Sequence, residues 1–292
     1  MMKAKTIFKK AGTVVLCILM FLSLALSVAS AIVNSTLKDS SELVIDTVDS
    51  EYTDILYDSV CSKLQRKMAL VVIKPEDISD IITKDVVIDA APISTASVLN
   101  RLFGKEDKPW EYKSEELYTR IGELLEAYAA EMEIEYEDGS VDQVYELICK
   151  TVSDEVNVIP QSYISKVSPL FVKLGKICSL WYIPVIVYVI CTAAVILLGK
   201  RNIKNAVYNA VIPSFFATFT IYAASAILYS KDYLAKTIIK NEAFQHFLRQ
   251  VYNSVLLNLK TTAIALSTLF VLMGIVVIIA MIVESVRHGK RP

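Results

Sequence analysis

Residues able to do chemistry are few in this chain, and their spacing is uninformative. It has two histidines, His246 and His288, and five cysteines. No second histidine at HExxH spacing accompanies His246, and His288 lies in a basic tail. His246 therefore reads as a polar residue at a membrane interface, not as a zinc ligand or the base of a nucleophile triad. Cys61 and Cys149 lie in the charged part of the chain. In an oxidising compartment they can bridge, closing a loop of 89 residues; the alternative is two separate buried thiols. Cys17 and Cys191 fall in apolar runs and read as small packing residues.

Other signatures fail. There is no CxxC, P-loop, GxGxxG or GxSxG. The acidic run Glu131, Glu133, Glu135, Glu137, Asp138 precedes Gly139. A calcium loop with that glycine in sixth place needs acids where Ile134 and Tyr136 stand, so the run reads as a solvated acidic face. No catalytic residue, cofactor or metal site is expected, and the chain reads as non-enzymatic.

The elements that would carry any site follow from hydropathy and charge. The 292 residues are 54% apolar with mean hydropathy +0.47. That excess over soluble domains points to membrane spans. A net charge of −1 excludes a basic nucleic-acid binder. Four charge-free runs are long enough to cross a hydrocarbon core of about 30 Å: 13–33, 177–199, 205–230 and 261–283. No Asp, Glu, Lys, Arg or His lies in any of them, which argues against a self-sufficient ion pump.

Lys3, Lys5, Lys9 and Lys10, then Lys200, Arg201 and Lys204, then Arg287, Lys290 and Arg291 fall on one side of a four-span topology. The positive-inside rule makes that side cytoplasmic, with both termini inside. One segment disagrees: the outer loop 231–260 carries five basic and two acidic residues. The first span also has features of a secretory signal, with Ala29-Ser30-Ala31 as a cleavage site, but its apolar core exceeds the usual ~7–15 residues. An uncleaved anchor is the preferred reading.

The expected fold class is an all-α membrane protein. Four transmembrane helices carry a mainly helical extracytoplasmic domain, inserted between helices 1 and 2. The divisions are a cytoplasmic N-terminus 1–12, helix 1 at 13–33, the domain at 34–176, helix 2 at 177–199 and a cytoplasmic turn 200–204. Helix 3 at 205–230, an outer amphipathic loop 231–260, helix 4 at 261–283 and a cytoplasmic tail 284–292 complete it. The turn is too short for the coupling segment of an exporter permease. Segment 34–176 holds 28 acidic and 15 basic residues, so the near-neutral chain is an acidic domain on a basic membrane part.

Within that domain, Leu43, Val44, Val48, Tyr52, Ile55, Leu56, Val60 and Leu64 recur at helical steps. With no Pro or Gly between Gly12 and Pro75, span one is expected to continue into it as one helix. Pro75 with Glu76 and Asp77 reads as a helix start. Ser94 to Phe103 reads as a short helix ended by Gly104. Ser114 caps the clearest helix, to Met132. Residues 131–137 read as a short strand or a helix end, and Ser140 with Gln143 has capping-box spacing.

Two surfaces stand out. Loop 231–260 is expected to contact lipid, or to dock on the acidic domain through Lys236, Lys240 and Arg249. The third span carries Tyr208, Asn209, Ser214, Thr218 and Thr220, which either line a passive pore or hydrogen-bond between helices; the second is preferred. Ser23, Ser27 and Ala31 give span one a small-residue face suited to packing within the chain. Expected partners are the bilayer and a membrane or extracytoplasmic protein, with no nucleic acid. The localisation expected is the plasma membrane, multi-pass, with 34–176 outside. The function expected is interaction or ligand sensing by that domain; the alternative is a transport or pore component.

Overall fold

The computed structural model describes residues 2–68, 81–133, 139–198, 203–237, 239 and 241–289. Among these, every regular element is a helix. The helices are α1 (Met2–Lys38), α2 (Ser41–Thr47), α3 (Ser50–Met68), α4 (Lys84–Leu102), α5 (Glu115–Met132), α6 (Ser140–Val156), α7 (Gln161–Cys178), α8 (Tyr182–Leu198), α9 (Ile203–Lys231) and α10 (Glu242–Gly289). Four helical stretches are long and apolar enough to cross a membrane, at 10–38, 140–198, 207–231 and 242–283. The chain is thus an all-helical membrane protein. It forms two compact units: 1–38 with 173–233 and 252–292, and 39–172 with 234–251.

In the first unit, α1, α8 and α9 pack on one another. Ser23 and Ser27 of α1 are buried, and each hydroxyl donates to a carbonyl three residues back, Met20 and Leu24. Small residues let the backbones approach, and a bonded hydroxyl carries no desolvation cost into the contact. Apolar side chains on α8 and α10, such as Ile186, Ile190, Leu272 and Val276, stay more than half exposed, as a lipid-facing surface requires.

In the second unit, α6 is the central helix and packs against α3, α4 and α5. Its buried residues Val144, Ile148, Val152 and Val156 recur every fourth position. They meet Val60, Leu64 and Met68 of α3, Ala90 of α4, and Leu117 and Ile121 of α5 in one apolar core. The spacing that makes each helix amphipathic is what brings these stripes face to face.

Several expectations are corrected. Span one does not run on: α1 ends at Lys38, and breaks at Asp39 and Asp49 separate α2 and α3. Each aspartate accepts from a backbone N–H just downstream, Asp39 from Ser41 (3.0 Å) and Asp49 from Tyr52 (2.7 Å). Such bonds offer the chain an alternative to helix, and each break needs no Gly or Pro. Helix α4 starts ten residues earlier than Ser94, at Lys84. Ser140 is the first residue of α6, not its cap: Gly139 at φ +89° precedes it, and no side chain caps the end. Helix α8 begins at Tyr182 after a turn at 179–181, with Pro184 in its first turn, where the missing N–H costs nothing. Most notably, the amphipathic half of loop 231–260 and span four are one helix, α10, 48 residues and about 72 Å long. No proline lies between Pro213 and Pro292, so the change from amphipathic to apolar pattern leaves the backbone unbroken. The start expected at Pro75 and the end of the acidic run (134–138) lie outside the described residues.

Other expectations match. Ser114 Oγ accepts from the Leu117 N–H at 3.2 Å and caps α5. That helix ends at Glu133, in left-handed conformation at φ 54°. Gly104, at φ +76°, follows α4 and lies against Val172 of α7.

Candidate ligand-binding cavity of the helical unit

The second unit contains an open polar cavity of about 540 Å³. Lys63 and Lys67 reach it from α3, Arg101 from α4, and Thr151, Asp154 and Glu155 from α6; the connection 157–161 and Asn241 complete the wall. A neighbouring cavity of about 500 Å³ shares Lys63, Glu155 and Asn241 with it.

The α6–α7 connection is organised by Asn157. Its Nδ2 donates to the carbonyls of Trp110 and Ser153, both at 2.7 Å, while its Oδ1 accepts from the Trp110 N–H at 3.2 Å. The loop after α4 is thereby pinned to the end of α6. Ser94 donates to the Val156 carbonyl at 2.8 Å, and Ser97 to that of Lys108 at 2.6 Å. These bonds fix the wall that carries Arg101.

Arg101 is buried, at 8% exposure. Its Nη1 donates to Gln161 Oε1 (2.5 Å), its Nη2 to Asn157 Oδ1 (3.5 Å) and its Nε to the Ser97 carbonyl (3.4 Å). All three acceptors are neutral. Loss of hydration lowers its pKa, partly offset by the charge of Asp107. That carboxylate is engaged elsewhere, by Asn100 Nδ2 at 3.0 Å and the Lys108 N–H at 2.8 Å. Lys67 donates to Thr151 Oγ1 at 2.8 Å. Lys63, by contrast, pairs with Glu155 at 2.7 Å, and Ser59 donates to the same carboxylate.

A second cluster ties 242–251 into this unit. His246, at 6% exposure, places Nε2 3.2 Å from Asp49 Oδ1 and stacks on the ring of Tyr52 at 5.8 Å. Gln250 Nε2 donates to Asp49 Oδ2 at 3.0 Å. Ala243 and Phe247 of the same turns are buried. Burial also pushes the Tyr52 phenol well above its ordinary range. Asp49 thus serves both as the cap of α3 and as the acceptor for the histidine and glutamine. Replacing it with alanine is expected to lower stability by about 1–2 kcal/mol, the worth of a cap and a charged hydrogen bond. It should also speed hydrogen exchange at 242–251. Asparagine, an equally good cap, should lose less. Unchanged exchange at 242–251 in the alanine variant would reject this role for Asp49.

The residues singled out by sequence are placed differently. Lys236 is exposed, Arg249 is half-buried and Lys240 lies outside the described residues. The described contacts of this segment are made by His246 and Gln250, with Ala243 and Phe247 buried beside them. Cys61 and Cys149 are separate free thiols in the structure. Burial raises both thiols above their ordinary range, partly offset by the tyrosine one turn earlier on the same helix, Tyr57 and Tyr145. Cys149 sits in the core beside Tyr145, whereas Cys61 is half-buried outside the core cluster, beside Asp58.

The five polar residues of the third span do not share a face. Ser214 and Thr218 are fully buried; Ser214 exchanges a 2.8 Å hydrogen bond with Tyr188 of α8, and Thr218 accepts from Ser267 of α10 at 2.8 Å. Tyr208, Asn209 and Thr220 are exposed. Among the described residues no group of three His, Cys, Asp or Glu is placed to hold a metal ion.

Architecture and cavity together define an all-helical protein with four membrane-competent helices and a separate polar helical unit. The chain matches no family model, no curated protein and no solved structure.

Proposed function

We propose that this is a multi-pass protein of the cell membrane that binds a ligand or protein partner, without catalysis, through a helical unit held outside the cytoplasm. In this reading both termini are cytoplasmic and residues 34–176 lie outside. The observation that carries it is the polar cavity of about 540 Å³, walled by three helices and a hydrogen-bonded connection. Its volume is within the range of small-molecule sites. Basic residues flanking the apolar stretches support the orientation. The bonded state of Ser214 and Thr218 supports anchoring rather than conduction as the work of the spans.

Two measurements test the reading. In intact cells, a membrane-impermeant maleimide should label a cysteine introduced at exposed Lys113 and spare one introduced at Arg291; the reverse pattern overturns the orientation. Gentle solubilisation and affinity capture should then recover discrete partner proteins. Solute flux by the purified chain alone, in vesicles, would replace this reading with that of a pore.

A further inference from the structure

We infer that the cavity beside Arg101 is a site for an oxyanion group of two negative charges, a phosphate ester or a dicarboxylate. This rests on the reading of the helical unit as the binding part of the chain.

The argument is one of unmatched charge. Residues 39–172 and 234–251 together hold 29 acidic and 15 basic residues. In so acidic a unit, cations should find carboxylates readily. Lys63 does. Arg101 and Lys67 do not: among the described residues no carboxylate lies within 4 Å of either, and their acceptors are two amides, a carbonyl and a hydroxyl. A buried, unpaired guanidinium is costly, because desolvation is not repaid by a counter-charge. Of its five N–H groups, three are used. The pair left over suits a planar or tetrahedral oxyanion, which guanidinium binds through paired hydrogen bonds.

The backbone adds to the same field. The cavity wall includes Pro160 and Gln161 at the start of α7 and Asn241 at the start of α10. Asn241 Oδ1 caps α10 by accepting from the Phe244 N–H at 2.9 Å. Both helices are long, and their amino ends favour negative charge. The opposing charge is limited: Glu155 is occupied by Lys63 and Ser59, and Asp154 stands exposed at the rim. Two unmatched cations set the ligand charge at two, and the volume admits the rest of a small molecule.

The test uses the full chain purified in detergent and isothermal titration with three probes. Inorganic phosphate and succinate report a dissolved anion; dioctanoyl phosphatidate reports a lipid headgroup. At least one should bind saturably at neutral pH. Lys67→Gln, a half-buried position that tolerates change, should weaken that probe three- to tenfold. Arg101→Gln should weaken it at least tenfold, and Lys113→Gln, which lies on the loop away from the cavity wall, should leave it unchanged. Phosphate or succinate binding assigns a soluble ligand; phosphatidate binding alone assigns a lipid. No saturable binding of any probe, or equal binding by wild type and Lys67→Gln, overturns the inference. The maleimide pattern is independent of this cavity, so failure of the topology and failure of the anion site are separate results.

Discussion

Replacing Gly104 with alanine should lower stability by about 3 kcal/mol, one of the two largest effects expected in the molecule. Two costs combine. At φ +76° an L side chain is strained by roughly 1–2 kcal/mol. A Cβ at this position would also overlap Val172 Cγ2, and a β-branched valine has little rotamer freedom to move aside. Overpacking of that kind costs about 1–3 kcal/mol. The position matters because Gly104 ends the helix that carries Arg101, with its N–H on the Arg101 carbonyl at 3.2 Å. A double-mutant cycle separates the terms. Gly104→Ala should cost only the backbone strain when measured in a Val172→Ala chain. Equal costs in the two backgrounds, read from denaturation midpoints, would show that the overlap is not felt.

Asn157→Ala is expected to rank with it, at about 2–4 kcal/mol. The truncation removes five bonds at once: the Trp110 N–H and carbonyl and the Ser153 carbonyl lose that partner, and so do Arg101 Nη2 and Ser94 Oγ, which donate to Oδ1. Unsatisfied buried groups cost about 1–3 kcal/mol each where water cannot replace the bond, and Trp110 and Asn157 are half-buried, so the sum is discounted. The loop at 105–113 should loosen. In a chain with Trp181 replaced by Phe, the emission of Trp110 should then shift to the red. An unshifted spectrum with undiminished stability would mean that Asn157 does not hold the loop. Asn157→Asp is a sharper probe: it keeps the acceptor, loses the Nδ2 donor to two carbonyls and places a carboxylate beside Arg101, and should abolish anion binding.

The sequence was informative where one helix face decides the outcome. The stripes of α3 and α5 were legible because a helix must bury its apolar face, and Ser114 was legible because a cap acts within one turn. The four apolar stretches were legible from length and lack of charge alone. Boundaries set by short polar residues were not. Asp39 and Asp49 look like ordinary helix-surface residues until their carboxylates turn back on the backbone. Nor was the unity of α10 visible, because hydropathy changes along it while backbone preference does not.

The cavity was illegible for a different reason. Lys67, Arg101, Asn157 and Gln161 come from three helices and a connection, with no shared period or motif. Gln250 and Asp49 are 201 positions apart in the chain. Arg101 did carry one weak signal: a lone cation at the end of an otherwise apolar helix face, between Leu99 and Leu102. His246 was judged by its missing ligand motif, whereas its role depends on a carboxylate that only tertiary packing supplies.

The hydroxyls within the apolar helices bear on biosynthesis. Ser23 and Ser27 bond carbonyls of α1, while Ser214, Thr218 and Ser225 bond carbonyls of α9, each three or four residues back. Each side chain is thus satisfied inside its own helix before any neighbour arrives. In a hydrocarbon setting an unmet donor is costly, so a helix that meets its own needs can partition into the bilayer singly. The contacts of Ser214 with Tyr188 and Thr218 with Ser267 are then second bonds, formed on association. Insertion and assembly are separable on this chemistry: the helices can enter in order of synthesis, and the later side-by-side contacts select the final arrangement.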